Sequence, residues 1–177
     1  MSSTLTLAVE SRRQLTRLRT KWTFGILLAL PLIVVGAYSL GDSDGTGQQF
    51  SDLATSGSAN FTVFMLFVTA PLLLLIVATL FVGDSVASEA SWSSLRYLLT
   101  APVPRVRLLT SKLLVGLGFT LLAMVVLLAW VILVGGVFYG WSSLTLPVGG
   151  GLDWPTLLVR LAVASAYILI ALLPFAA

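Results

Sequence analysis

Long apolar runs alternate with short polar stretches along this chain, and the runs fall at about residues 24–40, 61–83, 113–139 and 156–177. A helix needs roughly 20 apolar residues to cross a bilayer, so each run predicts a membrane-spanning helix rather than a buried soluble core. The first run is roughly 26 Å long at helical rise and therefore draws on Trp22 and Thr23 to complete a crossing. Pro31 lies inside the first run and predicts a kink there, and the second run again carries an internal proline, Pro71. Trp130 lies inside the third run, and Tyr139 and Trp141 close it as interface anchors.

The segments between the runs differ in character. Over residues 4–21, Leu15, Leu18 and Trp22 share a side with Ala8, while Arg13, Arg17 and Lys21 recur every four residues on another face. This spacing predicts an amphipathic interfacial helix within residues 1–22, with 23–177 as the transmembrane domain. The alternative is a frayed basic tail that only fixes orientation. Residues 41–60 form a polar loop with no Lys or Arg. Residues 140–155 form a flexible outer connection whose Gly149-Gly150-Gly151 is too short, and too lacking in basic partners, to cradle a phosphate. No small-residue cleavage site follows the first run, which is read as retained.

Composition sharpens this picture. Hydrophobic residues make up 58% of the chain and charged residues 10%, with a mean hydropathy of +1.02, so lipid is its main solvent. With no Cys and no His, disulfides, thiolate nucleophiles, imidazole bases and the common zinc sites are excluded by inventory, and intrinsic catalysis is not expected. The pI of about 9.7 does not imply nucleic acid, because the basic residues cluster beside the apolar runs. The N-terminal stretch carries Arg12, Arg13, Arg17, Arg19 and Lys21, and residues 84–112 carry Arg96, Arg105, Arg107 and Lys112. The other two connections hold Asp42, Asp44, Asp52 and Asp153 and no basic residue. The positive-inside bias therefore places the N-terminus and the 84–112 segment in the cytoplasm, with Arg12, Arg13, Arg17, Lys21 and Lys112 as basic anchors at the membrane surface. Arg160, alone inside an apolar run, is expected to snorkel to the outer headgroups. Gly116, Gly118, Gly135 and Gly136 are expected to serve helix packing.

Within 84–112, Ser93 or Ser94 can cap a short helix on which Leu95, Leu98 and Leu99 share a face, and Pro102 stops it. So short a helix needs a lipid surface or a protein groove to be stable. The residues Glu89, Ser93-Ser94-Leu95-Arg96, Leu98-Leu99, Pro102-Val103-Pro104-Arg105 and Lys112 resemble the pattern after the second span of permease subunits of type-2 ABC exporters, the drug-efflux and bacitracin-resistance permeases among them. Two positions depart from it: Ser93-Ser94 stands where Gly-Thr is usual, and Ser91 where a second acidic residue is common.

The resemblance implies an all-α integral membrane protein with an N-terminal interfacial helix and a short cytoplasmic coupling helix. Four spans are visible where a complete permease of this kind has six. It implies a multi-pass subunit of a prokaryotic inner membrane that exports an apolar or amphipathic substrate, with ATP and Mg bound by a separate ATP-binding subunit and no cofactor in this chain. A second permease copy, as homodimer or related heterodimer, and membrane lipid are the other implied partners. Glu89, Ser94, Leu95, Arg96, Leu98, Leu99, Pro102 and Arg105 are the implied contacts with the ATPase. The chain carries no Walker motif of its own. The competing reading is a membrane anchoring or assembly factor that recruits a soluble partner through its basic loop.

Overall fold

A computed structural model of the chain describes residues 7–40, 48–71, 73–81, 105–146 and 149–176. It is an all-α integral membrane architecture. Helix α1 runs Leu7–Thr16, α2 Leu18–Leu40, α3 Gln48–Thr55 and α4 Ser58–Thr69. After α5 at Leu73–Phe81 come α6 at Arg105–Tyr139, strands β1 at Leu144–Thr145 and β2 at Gly151–Leu152, and α7 at Trp154–Ala176. Within α2, α6 and α7, the stretches Leu18–Leu40, Leu113–Tyr139 and Trp154–Leu172 are long and apolar enough to cross a membrane, and the bent pair α4 and α5 makes a fourth crossing if counted as one span.

Where the elements begin and end departs from the periodicity in four places. The helix predicted over 4–21 divides at Arg17, so Leu15 and Arg13 lie on α1 whereas Leu18, Lys21 and Trp22 lie on α2. Threonine hydroxyls compete for the carbonyls at this joint: Thr16 Oγ1 donates to Arg13 O at 2.9 Å, and Thr20 Oγ1 donates across the break to Gln14 O at 2.7 Å. The polar loop predicted over 41–60 contains α3 and the first turn of α4. The second span is broken, with α4 and α5 meeting at 59°. Pro71 sits in the break and has no N–H to offer the turn before it. The outer connection is an ordered antiparallel hairpin, Leu144 opposite Leu152 and Thr145 opposite Gly151, with Gly149 and Gly150 turning at φ of 90° and 94°.

Helix α6 is the central rod. At 1.5 Å per residue its 35 residues span about 52 Å, more than a hydrocarbon core, so its N-terminal turns project past the membrane at the basic end. The main core gathers Leu27 and Val35 of α2, Phe61 and Met65 of α4, Leu74, Val77 and Phe81 of α5, Met124, Leu127 and Val131 of α6, and Leu172 of α7. A smaller cluster of Ala59, Leu144, Leu157 and Leu161 fastens α7 to α4 and the hairpin. Phe81, last in α5, sits between Phe24 of α2 and Phe119 of α6, its ring 6.3 Å and 5.7 Å from theirs.

In lipid no hydrophobic force draws helices together, so close packing must do it. Gly135 is where α6 meets α4: a Cβ there would lie 3.0 Å from Ser58 Cα and 3.1 Å from Phe61 Cδ1. Gly136 leaves room for the Trp141 indole, which would otherwise overlap a side chain. Gly118 faces open space, so of these three glycines only the 135–136 pair serves packing within the chain. Gly135→Ala should therefore cost about 1–3 kcal/mol by forcing α4 away, whereas Gly118→Ala should be neutral or gain up to about 1 kcal/mol of helix propensity. Thermal unfolding of the two variants in detergent checks this, and equal midpoints would refute the close approach.

Candidate functional sites at the two ends of the bundle

At the basic end, α1 lies against the start of α2 and against α6. Gln14 and Thr20 are buried in the joint, and the Gln14 carbonyl also accepts the Arg17 N–H at 3.3 Å. Orphan carbonyls at the end of α1 are thus used to set the angle at which the first span leaves. Arg12, Arg13 and Lys21 point to the surface, and Arg17 is half-buried. Leu15, Leu18 and Trp22 are also uncovered, Leu18 at 68% and Trp22 at 66%. The break at Arg17 therefore leaves one continuous rim of exposed cations and large apolar side chains, made from two helices instead of one. Arg105 opens α6, and Lys112 lies two turns further along the same helix. The sequence-predicted coupling residues Glu89, Ser94, Leu95, Arg96, Leu98, Leu99 and Pro102 lie outside the described residues.

The opposite end is held by a side chain that the periodicity assigned to a loop. Asn60 is 5% exposed in the first turn of α4. Its Nδ2 donates to Thr145 O at 2.9 Å, and its Oδ1 accepts the Thr145 N–H at 2.9 Å. The pairing of Leu146 N with Gly150 O at 3.1 Å makes Thr145 opposite Gly151 a pair whose backbone groups point away from β2. The carboxamide thus completes the free edge of the hairpin as a third strand would. Further bonds tie the same region together: Ser58 N to Gly140 O at 2.9 Å, Ser58 Oγ to Ile132 O at 2.8 Å, and Ser142 Oγ to Ser56 O at 3.1 Å. Gly57 admits the Ser142 hydroxyl where a Cβ would stand. The start of α4, the end of α6 and the hairpin form one unit.

Between the ends, Trp130 Nε1 donates to Leu28 O at 2.9 Å. Leu28 lies three residues before Pro31, whose missing N–H removes the donor to the adjacent Leu27 O, and the indole N–H ties α6 to α2 beside that turn. Sequence reading placed Trp130 in its span without assigning that role, because the contact joins positions 102 residues apart. A signal for Asn60 did exist: an amide directly ahead of a long apolar run must find partners if the run inserts. Arg160 is exposed in the second turn of α7, with no ion-pair partner among the described residues.

Apolar rods whose polar groups are met by one another define a multi-pass helical membrane protein. A family model described as ABC-2 family transporter protein matches residues 15–177, and the chain belongs to that family. It is a membrane permease component of an ABC transporter, a class that works with an ABC ATP-binding partner. Comparison with curated proteins and with solved structures finds no match.

Asn60→Leu would leave the Thr145 N–H and C=O unpaired, at a cost of about 1–3 kcal/mol. Amide exchange at Thr145, followed by mass spectrometry, should quicken by about tenfold or more. Unchanged exchange would mean that the carboxamide does not close the hairpin edge.

Proposed function

We propose that this chain is the membrane-spanning subunit of an ATP-driven exporter, with residues 84–112 as the lever through which a separate ATP-binding subunit acts. The carrying observation is the family match over residues 15–177, together with the anchoring of both ends of that segment. Upstream, Phe81 is wedged between Phe24 and Phe119; downstream, the segment enters α6, a rod that reaches the hairpin. Force delivered to the segment therefore meets a packed aromatic knot and a stiff helix rather than slack chain.

The bend between α4 and α5 supplies a place for motion to be absorbed. The hairpin end is cross-tied, and α5 continues from α4 through the Pro71 break, so displacement at the basic end would turn α5 about that break. ATP can drive this only by favouring one of two arrangements through differential contact, which Glu89, Ser94, Leu95, Arg96, Leu98, Leu99, Pro102 and Arg105 would provide. Basic residues in the N-terminal stretch and in 84–112 support a cytoplasmic position for that end, with Arg12, Arg13, Arg17, Lys21 and Lys112 at the lipid surface of a prokaryotic inner membrane. ATP and Mg belong to the partner. A second permease copy completes the pathway, and nearly uncharged spans favour an apolar or amphipathic cargo.

Leu98→Asp places a charge in the apolar contact and should lower both co-purification of the ATP-binding subunit and ATP-stimulated export by about tenfold or more. Arg96→Glu should act in the same direction. Export and co-purification at wild-type levels in both variants would remove the segment from the mechanism.

A further inference from the structure

Hydroxyls hold the joint between α1 and α2 on both sides of its break. Gln14 is buried, and its carbonyl takes both the Thr20 hydroxyl at 2.7 Å and the Arg17 N–H at 3.3 Å. Thr16 Oγ1 donates to Arg13 O and Thr23 Oγ1 to Arg19 O, each at 2.9 Å. The charge fixed in place here is not balanced by the chain around it: residues 7–22 carry five cations against one acid, Glu10, and no further acid occurs before Asp42.

Connectivity says what this surface meets. The 23 residues of α2 span about 34 Å, close to the thickness of a bilayer's apolar core, so its first turn, with Lys21 and Trp22, lies at headgroup level. The Gln14–Thr20 bond ties the end of α1 to that turn, which keeps Arg12 and Arg13 within a side chain's reach of the same layer. Cations and large apolar side chains alternate there: Arg12, Arg13 and Lys21 with Leu15, Leu18 and Trp22. A zwitterionic lipid would match the apolar members and leave the cations uncompensated, whereas an acidic protein or a nucleic acid would match the cations alone. A phospholipid with a net negative head matches both.

We propose that this two-helix rim is a site selective for anionic phospholipid, and that the lipid seats α1 in the leaflet. Because α1 also lies against α6, lipid charge then bears on the rod that the proposed lever drives. The inference rests on the reading that sets the basic end at the lipid surface and adds which lipid regulates it.

The test uses the full chain in phosphatidylcholine nanodiscs in which phosphatidylglycerol replaces a third of the lipid. The chain has no cysteine of its own, so a single dansyl label can be placed at Ile26→Cys, one turn deeper than Trp22 and outside the rim, or at Leu40→Cys, at the far end of the same helix. Quenching is compared between phosphatidylglycerol and phosphatidylcholine carrying a nitroxide on the acyl chain, at equal mole fraction. Phosphatidylglycerol should be preferred at position 26 by about fivefold or more and at position 40 by less than about twofold. The triple variant Arg12→Gln, Arg13→Gln, Lys21→Gln should bring the ratio at position 26 close to one, whereas Arg12→Lys with Arg13→Lys should keep it. Salt at about 1 M, which screens charges beyond about 3 Å, should also abolish it. Phosphatidylglycerol should slow amide exchange over residues 7–16 by a few fold, and the triple variant should lose that response.

Equal quenching by the two lipids at position 26, or a preference that survives both the triple variant and high salt, overturns the site. Exchange over residues 7–16 that is indifferent to phosphatidylglycerol overturns the seating of α1. The assay contains no nucleotide and no ATPase. If the preference fails while an ATP-binding subunit still co-purifies, only the lipid site is lost; if it holds and no ATPase associates, only the motor is lost.

Discussion

Inside a bilayer no water is available to a backbone carbonyl or amide, and most of this structure follows from meeting that demand within the protein. Thr62, Thr69 and Thr120 return their hydroxyls to Ser58 O, Met65 O and Gly116 O of their own helices at 2.7–2.9 Å. Beside Pro31, the Trp130 indole of α6 finds Leu28 O of α2; where the hairpin edge would stand bare, Asn60 of α4 fills it. The Trp130 and Asn60 contacts each fasten two elements together, so there satisfying polar groups and fixing tertiary structure are one event. Ser165 Oγ is buried without a partner among the described residues.

These ties are unevenly distributed, and the unevenness gives the bundle a direction. At the hairpin end, α4, α6 and the β-hairpin are joined by hydrogen bonds and by the glycine contact at Gly135. Towards the basic end, α4 gives way to α5 through the Pro71 bend, and α5 is held by the apolar packing of Leu74, Val77 and Phe81, the last through ring contacts. Ring contacts can slide or tilt at lower cost than buried hydrogen bonds can be broken. On the proposed reading, this makes the basic end the moving part and the hairpin end its fulcrum.

Much of this was legible in the sequence. Long apolar runs and charge clusters predict the spans, because insertion into lipid depends on summed hydropathy and little on tertiary detail. The second run reads as one crossing with Pro71 inside it, whereas the chain bends there by 59°, an angle that depends on what packs against each half; α2 runs unbroken through Pro31. The divided N-terminal helix was hidden because heptad-like spacing runs straight through Arg17, while the competing threonine hydroxyls act through backbone carbonyls. Asn60 was assigned to a loop by its polarity; its role depends on Thr145, 85 residues away, and pairings over that separation leave no periodic trace. The coupling pattern around Leu95 and Arg96 was read from a resemblance and lies outside the described residues.

On the proposed reading, nucleotide-driven displacement enters at the basic ends of α5 and α6 and is absorbed at the Pro71 break, with the opposite end fixed. Pulsed electron resonance on the complex with its ATP-binding subunit measures this directly, using one spin-label pair joining exposed positions of α2 and α5 at the basic end and a second joining α3 to the hairpin. The account predicts that trapping with ATP and vanadate shifts the first distance by several ångströms, on the scale of known helix displacements, and leaves the second unchanged. A hairpin-end distance that changes as much as the other, or a basic-end distance indifferent to nucleotide, would contradict it.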